Sequence, residues 1–217
     1  MYSDKIKQKQ KTRQSIKSDF TADGKVISLL NFLEKYLPEF SENISIQRNT
    51  DERIINQKLL RFFVSQSILF YFIPENLDES GQNKSKPDIS VYEKDLDENG
   101  LGVYDDNKKR FFDIECKRLY NPNTREYVYG KTGGIQRFKE NKHGVDLPYS
   151  AMIGYVETND FNFWHEKVNS WILDKNEHLT IIENQKIAKF ESEHPRISSQ
   201  NNSITLKHFW VQMSFTI

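Results

Sequence analysis

The sequence predicts an α/β domain with a central mixed β-sheet flanked by helices. Three observations point there. Two amphipathic helical patterns lie towards the start of the chain. Short β-branched and aromatic runs then alternate with further helical patterns. No linker long enough to separate a pair of domains interrupts them. The 217 residues suit one domain with its own core. Residues 1–22 read as a basic arm or solvated helix, and residues 23–217 as the domain. From Met1 to Lys25 there are seven Lys or Arg against three Asp, and the plain reading of such a stretch is a mobile terminus.

The elements follow in order. Val26, Leu29, Leu30, Leu33 and Leu37 recur at helical spacing, and Pro38 is expected to stop that helix. A second helix opens at Asn49-Thr50-Asp51-Glu52, with Thr50 as the expected cap and acids in its first turn. Ile55, Leu59, Phe62 and Phe63 make its core face. Ser67 to Pro74 is short, aromatic and β-branched, so it reads as a strand. Pro87 introduces the alternating run Asp88-Ile89-Ser90-Val91-Tyr92, and an acidic segment with an Asn99-Gly100 turn signal follows. Arg110 to Leu119 is another strand. Gly133-Gly134 opens a short helix with Ile135 and Phe138 inward, and Ser150 to Val156 reads as a buried strand. Phe161, Trp164, Val168, Trp171 and Ile172 make an amphipathic helix capped by Asn159 or Asp160, before two last strands, one in Ile187–Ser192 and one in Ile204–Met213.

Composition excludes several classes. Thirty-one basic residues balance 31 acidic ones, so neither a globally basic nucleic-acid coat nor a globally acidic protein fits. Hydrophobic residues make up only 36%, but 15 Phe, 10 Tyr and 3 Trp argue against a disordered chain. One cysteine, Cys116, excludes a disulfide scaffold and a multi-cysteine zinc site within the chain. The first residues lack the apolar core of a secretory leader, and no apolar run approaches the ~20 residues of a membrane span. The expectation is a soluble protein of the reducing cytoplasm, with no membrane partner. No phosphate-loop pattern suggests an ATPase, and the five histidines lack metal-ligand spacing.

The chemistry concentrates in Pro87-Asp88 and Glu115-Cys116-Lys117. Alternate residues of a strand share a face, so Asp113, Glu115 and Lys117 point one way, and Glu115 and Lys117 stand ~6–7 Å apart along it. Phe112, Ile114 and Cys116 face the core. If the two strands pair, Asp88 comes beside Glu115. Two carboxylates and an ammonium then converge at a sheet end. Buried carboxylates without counter-charge are costly, and a hard cation such as Mg²⁺ relieves that cost. Such an ion polarises a phosphodiester and activates a water, while Lys117 positions that water or offsets charge on phosphorus.

The run from Lys86 to Tyr92 and from Phe111 to Leu119 resembles the PD-(D/E)XK nucleases, the restriction-endonuclease-like superfamily. The resemblance spans about Thr50 to Val156. It implies a restriction-endonuclease-like core and a Mg²⁺-dependent DNA endonuclease, with Mn²⁺ able to substitute. It implies that Asp88, Glu115 and the Cys116 carbonyl bind the metal and that Lys117 assists the attacking water. A further glutamate on the preceding helix falls on Glu52, whose other reading is an acid favourably set against the helix dipole. Gln136 matches a glutamine that some members place near the metal, although Glu140 stands where a tyrosine often follows. Arg137, Lys139 and Lys142 are candidate phosphate contacts or a solvated helix face. From Lys108 to Lys142 ten basic residues face four acids, and from Glu75 to Asp106 ten acids face three lysines. A basic rim beside an acidic pocket suits a phosphodiester substrate.

The resemblance also implies a setting. With no room for a large target-recognition domain, the chain is expected to be the nuclease component of a bacterial restriction or anti-phage defence system, working with a separate ATPase, helicase or sensor subunit. A repair or recombination nuclease such as a junction resolvase is the alternative, and so is an inactive nucleic-acid-binding or scaffolding subunit of the same fold. A homodimer would cut both strands. Cys116 is expected in the core rather than as a nucleophile, His208 as a hydrogen-bonded sheet residue, and the Phe161–Trp171 stripe as core or a partner face before a base-stacking platform.

Overall fold

A computed structural model describes residues 22–74, 86–96, 102–103, 109–130, 132–184, 186–197 and 202–215. The basic segment up to residue 21 and the Asn99-Gly100 turn lie outside the described residues. The chain folds as α1 (Ala22–Asn43), α2 (Glu52–Gln66), β1 (Phe70–Pro74), β2 (Ile89–Glu93), β3 (Asp95–Leu96), β4 (Gly102–Val103), β5 (Phe112–Leu119), α3 (Gly134–Lys139), β6 (Tyr149–Val156) and α4 (Phe161–Trp171), then a 3₁₀ turn (Lys175–Glu177), β7 (Thr180–Asn184), β8 (Ile187–Pro195) and β9 (Ser203–Gln212). Seven strands form one mixed sheet in the order β1-β2-β5-β6-β9-β8-β7. The β5–β6 and β6–β9 pairs are parallel and the others antiparallel. The chain is thus an α/β protein with helices flanking a mixed sheet. No helix among the described residues is long and apolar enough to cross a membrane.

Each sheet face covers its own core. On one, Leu29, Leu33 and Leu37 of α1 and Ile55, Leu59 and Phe63 of α2 pack on Phe72, Val91, Ile114, Cys116 and Ile153. On the other, Ile135 and Phe138 of α3 and Trp164, Val168 and Trp171 of α4 pack on Met152, Phe190 and Trp210. The central strand β6, with parallel neighbours on both sides, is therefore apolar and buried on both faces, whereas β5 carries Asp113, Glu115 and Lys117 on one face. Cys116 is a free thiol in the first core, with burial pushing it well above the usual thiol range.

Three expectations are corrected. Pro38 does not end α1, which runs on to Asn43. A proline inside a helix loses one backbone bond and costs about 3 kcal/mol, but Leu37 and Phe40 on either side are both buried, and their packing outweighs it. The cap of α2 is Asp51, whose carboxylate accepts from Arg53 N, whereas Thr50 Oγ1 accepts from Gln47 N in the preceding turn. β1 begins at Phe70 because Ser67 closes α2 through Phe63 O and its hydroxyl then accepts from Phe70 N. β3, β4 and β7 add to the expected strands.

Candidate functional site

The site forms where two strands diverge. β2 pairs with β5 only over Ile89↔Ile114, Ser90↔Asp113 and Val91↔Phe112. Beyond Ile114 the β2-side edge of β5 has no strand partner among the described residues. Two carboxylates satisfy it instead: Asp88 Oδ2 accepts from Cys116 N at 2.7 Å and Glu52 Oε2 from Arg118 N at 3.0 Å. A buried amide must have some partner, and here side chains take the place of a strand. Extending the register one step sets Asp88 opposite Glu115, as expected from the sequence. A strand residue turns its N–H and C=O to the same edge, so the Cys116 carbonyl faces this open edge too.

Lys117 is the hub. Its Nζ lies 3.0 Å from both Glu52 Oε1 and Glu115 Oε1. Burial works against the ammonium, but Glu115, Glu52 and Asp88 outweigh it and hold Lys117 well above the usual lysine range. Glu115 is fully buried. Burial alone would raise its carboxyl; His143, Lys117 and Arg137 outweigh that and hold it down to about 2. Arg137 Nη1 reaches Glu115 Oε1 at 3.1 Å, and His143 Nδ1 faces Oε2 at 3.2 Å. Asp88 has the opposite balance. Burial first, and the adjacent Glu115 charge second, push its carboxyl well above the usual range. Glu52 and Asp88 both open into one cleft of about 650 Å³, together with Arg53, Asn56, Gln57 and Arg61.

The helix α3 divides its polar residues. Only Arg137 turns into the site. Gln136 donates to Glu140 at 2.7 Å, Lys142 also pairs with Glu140, and Lys139 binds Glu177 at 2.6 Å. The sequence offered Gln136 as a residue near the metal and Arg137, Lys139 and Lys142 as phosphate contacts or a solvated helix face; the structure gives Gln136, Lys139 and Lys142 intramolecular partners. The loop after α3 supplies His143 and also Gly144 N, which donates to Asp113 Oδ2 at 2.8 Å. Gly144 has φ +60°, and a Cβ there would strike Ser150 Oγ at 2.8 Å, so glycine is required. Asp113 is also buried beneath the site, bound by Ser90 and Arg110; burial raises its carboxyl and Arg110 offsets some of that.

Sequence reasoning missed His143, Arg196 and a buried chain on the α4 side of the sheet. Lys139 donates to Glu177, and His194 Nδ1 lies 2.8 Å from Glu177 Oε2. Ser192 Oγ lies 2.7 Å from both His194 Nε2 and His208 Nε2. Tyr127 OH lies 2.8 Å from His208 Nδ1 and accepts from Trp210 Nε1 at 2.8 Å. Because Tyr127 accepts from Trp210, it donates to His208, which donates to Ser192, which donates to His194, which donates to Glu177. Both histidines are neutral in that order, and burial lowers both below the usual histidine range. His208 is thus the hydrogen-bonded sheet residue the sequence suggested.

The donor set fits a hard cation incompletely. Among the described residues, no group of three or more His, Cys, Asp or Glu side chains is placed to hold a metal ion. Mg²⁺ does not need one: it binds through one or two carboxylates and keeps several waters. The cleft-facing pair Asp88 and Glu52, beside the Cys116 carbonyl, is such a set, and the raised Asp88 carboxyl marks charge that a cation would relieve. Comparison with protein-family models, with curated proteins and with solved structures finds no match to the chain.

Proposed function

We propose that the chain is a metal-dependent nuclease with a restriction-endonuclease-like core that hydrolyses phosphodiester bonds in DNA. One observation supports this above others. Glu115 and Glu52 meet on Lys117, and Asp88 sits on the adjoining Cys116 amide, at the fork between β2 and β5, beside an open cleft. Asp88 and Glu52 with the Cys116 carbonyl would hold Mg²⁺ or Mn²⁺, and Glu115 behind them would add to the negative field. The ion's chemistry there is to polarise the scissile phosphate and acidify a water. Lys117, kept positive by its acids, orients the attacking water and offsets charge on the phosphoryl oxygens. Arg137 and His143 hold Glu115 ionised and in place. The setting in this reading is a bacterial restriction or anti-phage system acting with a separate ATPase, helicase or sensor, with a repair nuclease or junction resolvase as the alternative.

A second reading has one observation of its own. Glu115 is already surrounded by Lys117, Arg137 and His143, as a closed structural network would be. A non-catalytic nucleic-acid-binding subunit of this fold would look the same. The deciding experiment is cleavage of supercoiled plasmid with Mg²⁺, with Mn²⁺ and with EDTA, beside Lys117→Ala. Metal-dependent nicking lost in the variant supports the nuclease. Nucleic-acid binding that ignores divalent metal and is unchanged in Glu115→Ala, with no cleavage in host extract, supports the subunit and overturns the nuclease.

A further inference from the structure

A second cleft of about 440 Å³ adjoins the first, lined by Arg48, Asn49, Arg118, Tyr120, Glu157 and Thr158. The two meet at one contact: Arg118, whose N–H is held by Glu52 of the first cleft, sends its side chain into the second. Tyr120 follows β5 directly and stands three residues past Lys117, about 10 Å along an extended chain. Tyr120 is 43% exposed, a large aromatic residue left at the surface just past the end of β5.

The ring is held as a platform. The Arg118 guanidinium lies 4.6 Å from its centroid, over one face. That guanidinium is fixed in turn. It is forked on the Glu157 carboxylate, with Nη2 2.7 Å from Oε2, and Nη2 also donates to Arg48 O at 3.1 Å. Thr158 Oγ1 donates to Tyr120 O at 3.0 Å, and Glu157 N to Leu119 O at 3.1 Å, so the backbone under the ring is pinned as well. Structural packing does not need a fixed, half-exposed aromatic ring in a concave polar cleft. The charge also suits an anion. Glu157 offsets Arg118, and Arg48 leaves the second cleft net positive, while Arg53 and Arg61 line the first beside its carboxylates.

We infer that this second cleft receives one unpaired nucleotide base, stacked on Tyr120, next to the phosphate held at the Glu52–Asp88 cleft. A base inside a duplex has both faces already stacked, so an aromatic ring set in a pocket gains only from a base that is free or pulled out. The substrate class is therefore a strand that is single or frayed beside the scissile bond. This inference rests on the nuclease reading.

The test is fluorescence anisotropy with a labelled 12-nucleotide single strand carrying 2-aminopurine, and with its duplex, in Ca²⁺ so that binding is read without turnover. The native chain should bind the single strand more tightly and quench the 2-aminopurine. Tyr120→Ala should weaken single-strand binding about ten- to a hundredfold, the worth of one stacked base, and abolish the quench, while Tyr120→Phe restores both. Duplex binding should change less than about twofold in either variant. Single-strand affinity and quench unchanged in Tyr120→Ala, or equal affinity for both forms, overturns the inference. If Lys117-dependent plasmid cleavage is found alongside that result, the nuclease reading stands and only the Tyr120 subsite falls. A native chain that binds neither form and cuts nothing overturns both.

Discussion

Arg196 lies far along the chain from the fork residues, yet it determines whether the site is assembled. It follows β8, is buried, and donates to Asn141 Oδ1 at 2.6 Å, Gly144 O at 2.7 Å, Leu147 O at 2.8 Å and Phe138 O at 3.3 Å. These acceptors belong to the end of α3 and the loop that places His143 against Glu115 and Gly144 against Asp113. The loop is costly on its own, because the non-glycine residues Asn141 and Asp146 both hold φ near +60°. Arg196→Met keeps the aliphatic stem and removes the donors. Three bonds of good geometry from a charged donor are lost, and two backbone carbonyls are left inside. With some recovery by water, the loss is about 3–5 kcal/mol. That is a large share of the roughly 5–15 kcal/mol that holds a domain together, and at this chain length it lowers the midpoint by about 6–20 °C. Urea unfolding followed by tryptophan fluorescence gives the first number and calorimetry the second. Arg196→Lys should recover little, because an ammonium cannot span the forked acceptors. Amide exchange at Gly144 should quicken at temperatures where both proteins are folded. A loss below about 1 kcal/mol, or a larger loss with Gly144 exchange unchanged, would refute the reasoning.

Other consequences follow from the same electrostatics. Asp88 is held above the unfolded value of about 3.9, so its stabilising contribution is full below that pH and is lost as pH rises through the folded value. Asp88→Asn should therefore be more stable than the native chain at pH 7, with the gap closing towards pH 4 in thermal melts; a variant less stable at pH 7 contradicts this. Glu115, held at about 2, acts in the opposite sense: its contribution is present above roughly 4.3 and fades as pH falls towards 2. Mg²⁺ at a hundred times its dissociation constant should stabilise the native fold by about 2.7 kcal/mol and leave Asp88→Asn nearly unmoved, again read by melting. Tyr127→Phe strands Trp210 Nε1 and His208 Nδ1 in the second core, which should cost about 2–4 kcal/mol by denaturant titration.

The portion of the site that lies on one strand was legible. Alternation along Phe112–Leu119 is a local property, and it correctly set Glu115 and Lys117 on one face with Cys116 in the core. Asp88 beside Glu115 needed only that two neighbouring runs pair. Glu52 was reachable because the cap pattern placed it at a helix start. His143 was not, because its role depends on a loop with three left-handed residues, and nothing in Lys-His-Gly announces where such a loop turns. A signal existed in the demand side: a strand glutamate facing a core needs partners, and the basic residues from Lys117 to Lys142, followed by His143, are the candidates the chain offers next. The partners of Lys139 and Lys142 were hidden for the complementary reason. A lysine on a short helix reads as solvated until Glu177 and Glu140 are seen opposite it. β7 escaped because Thr180–Asn184 leaves Ile181 and Ile182 half-exposed at the sheet edge, without the alternation that marks a strand.

The charges at the fork do not balance. Lys117 contacts both Glu52 and Glu115, and Arg137 contacts Glu115, whereas Asp88 accepts from the Cys116 amide and has no ion pair among the described residues, although Arg53 and Arg61 line the same cleft. Glu115 takes most of the compensation, since both cations and His143 converge on it, and Asp88 bears the shortfall. A purely structural network would gain by losing that carboxylate or by placing another cation beside it, as buried ion pairs are stable only when fully compensated. The shortfall instead falls on the group that opens to the cleft beside Glu52. Whatever neutralises Asp88, whether a proton, an amide in its place or a divalent ion, must stabilise the fold through the same deficit. The gain from Asp88→Asn and the loss of the Mg²⁺ response in that variant are therefore two readings of one quantity. If the first appears without the second, the deficit belongs to the fold alone and the fork is not a metal site.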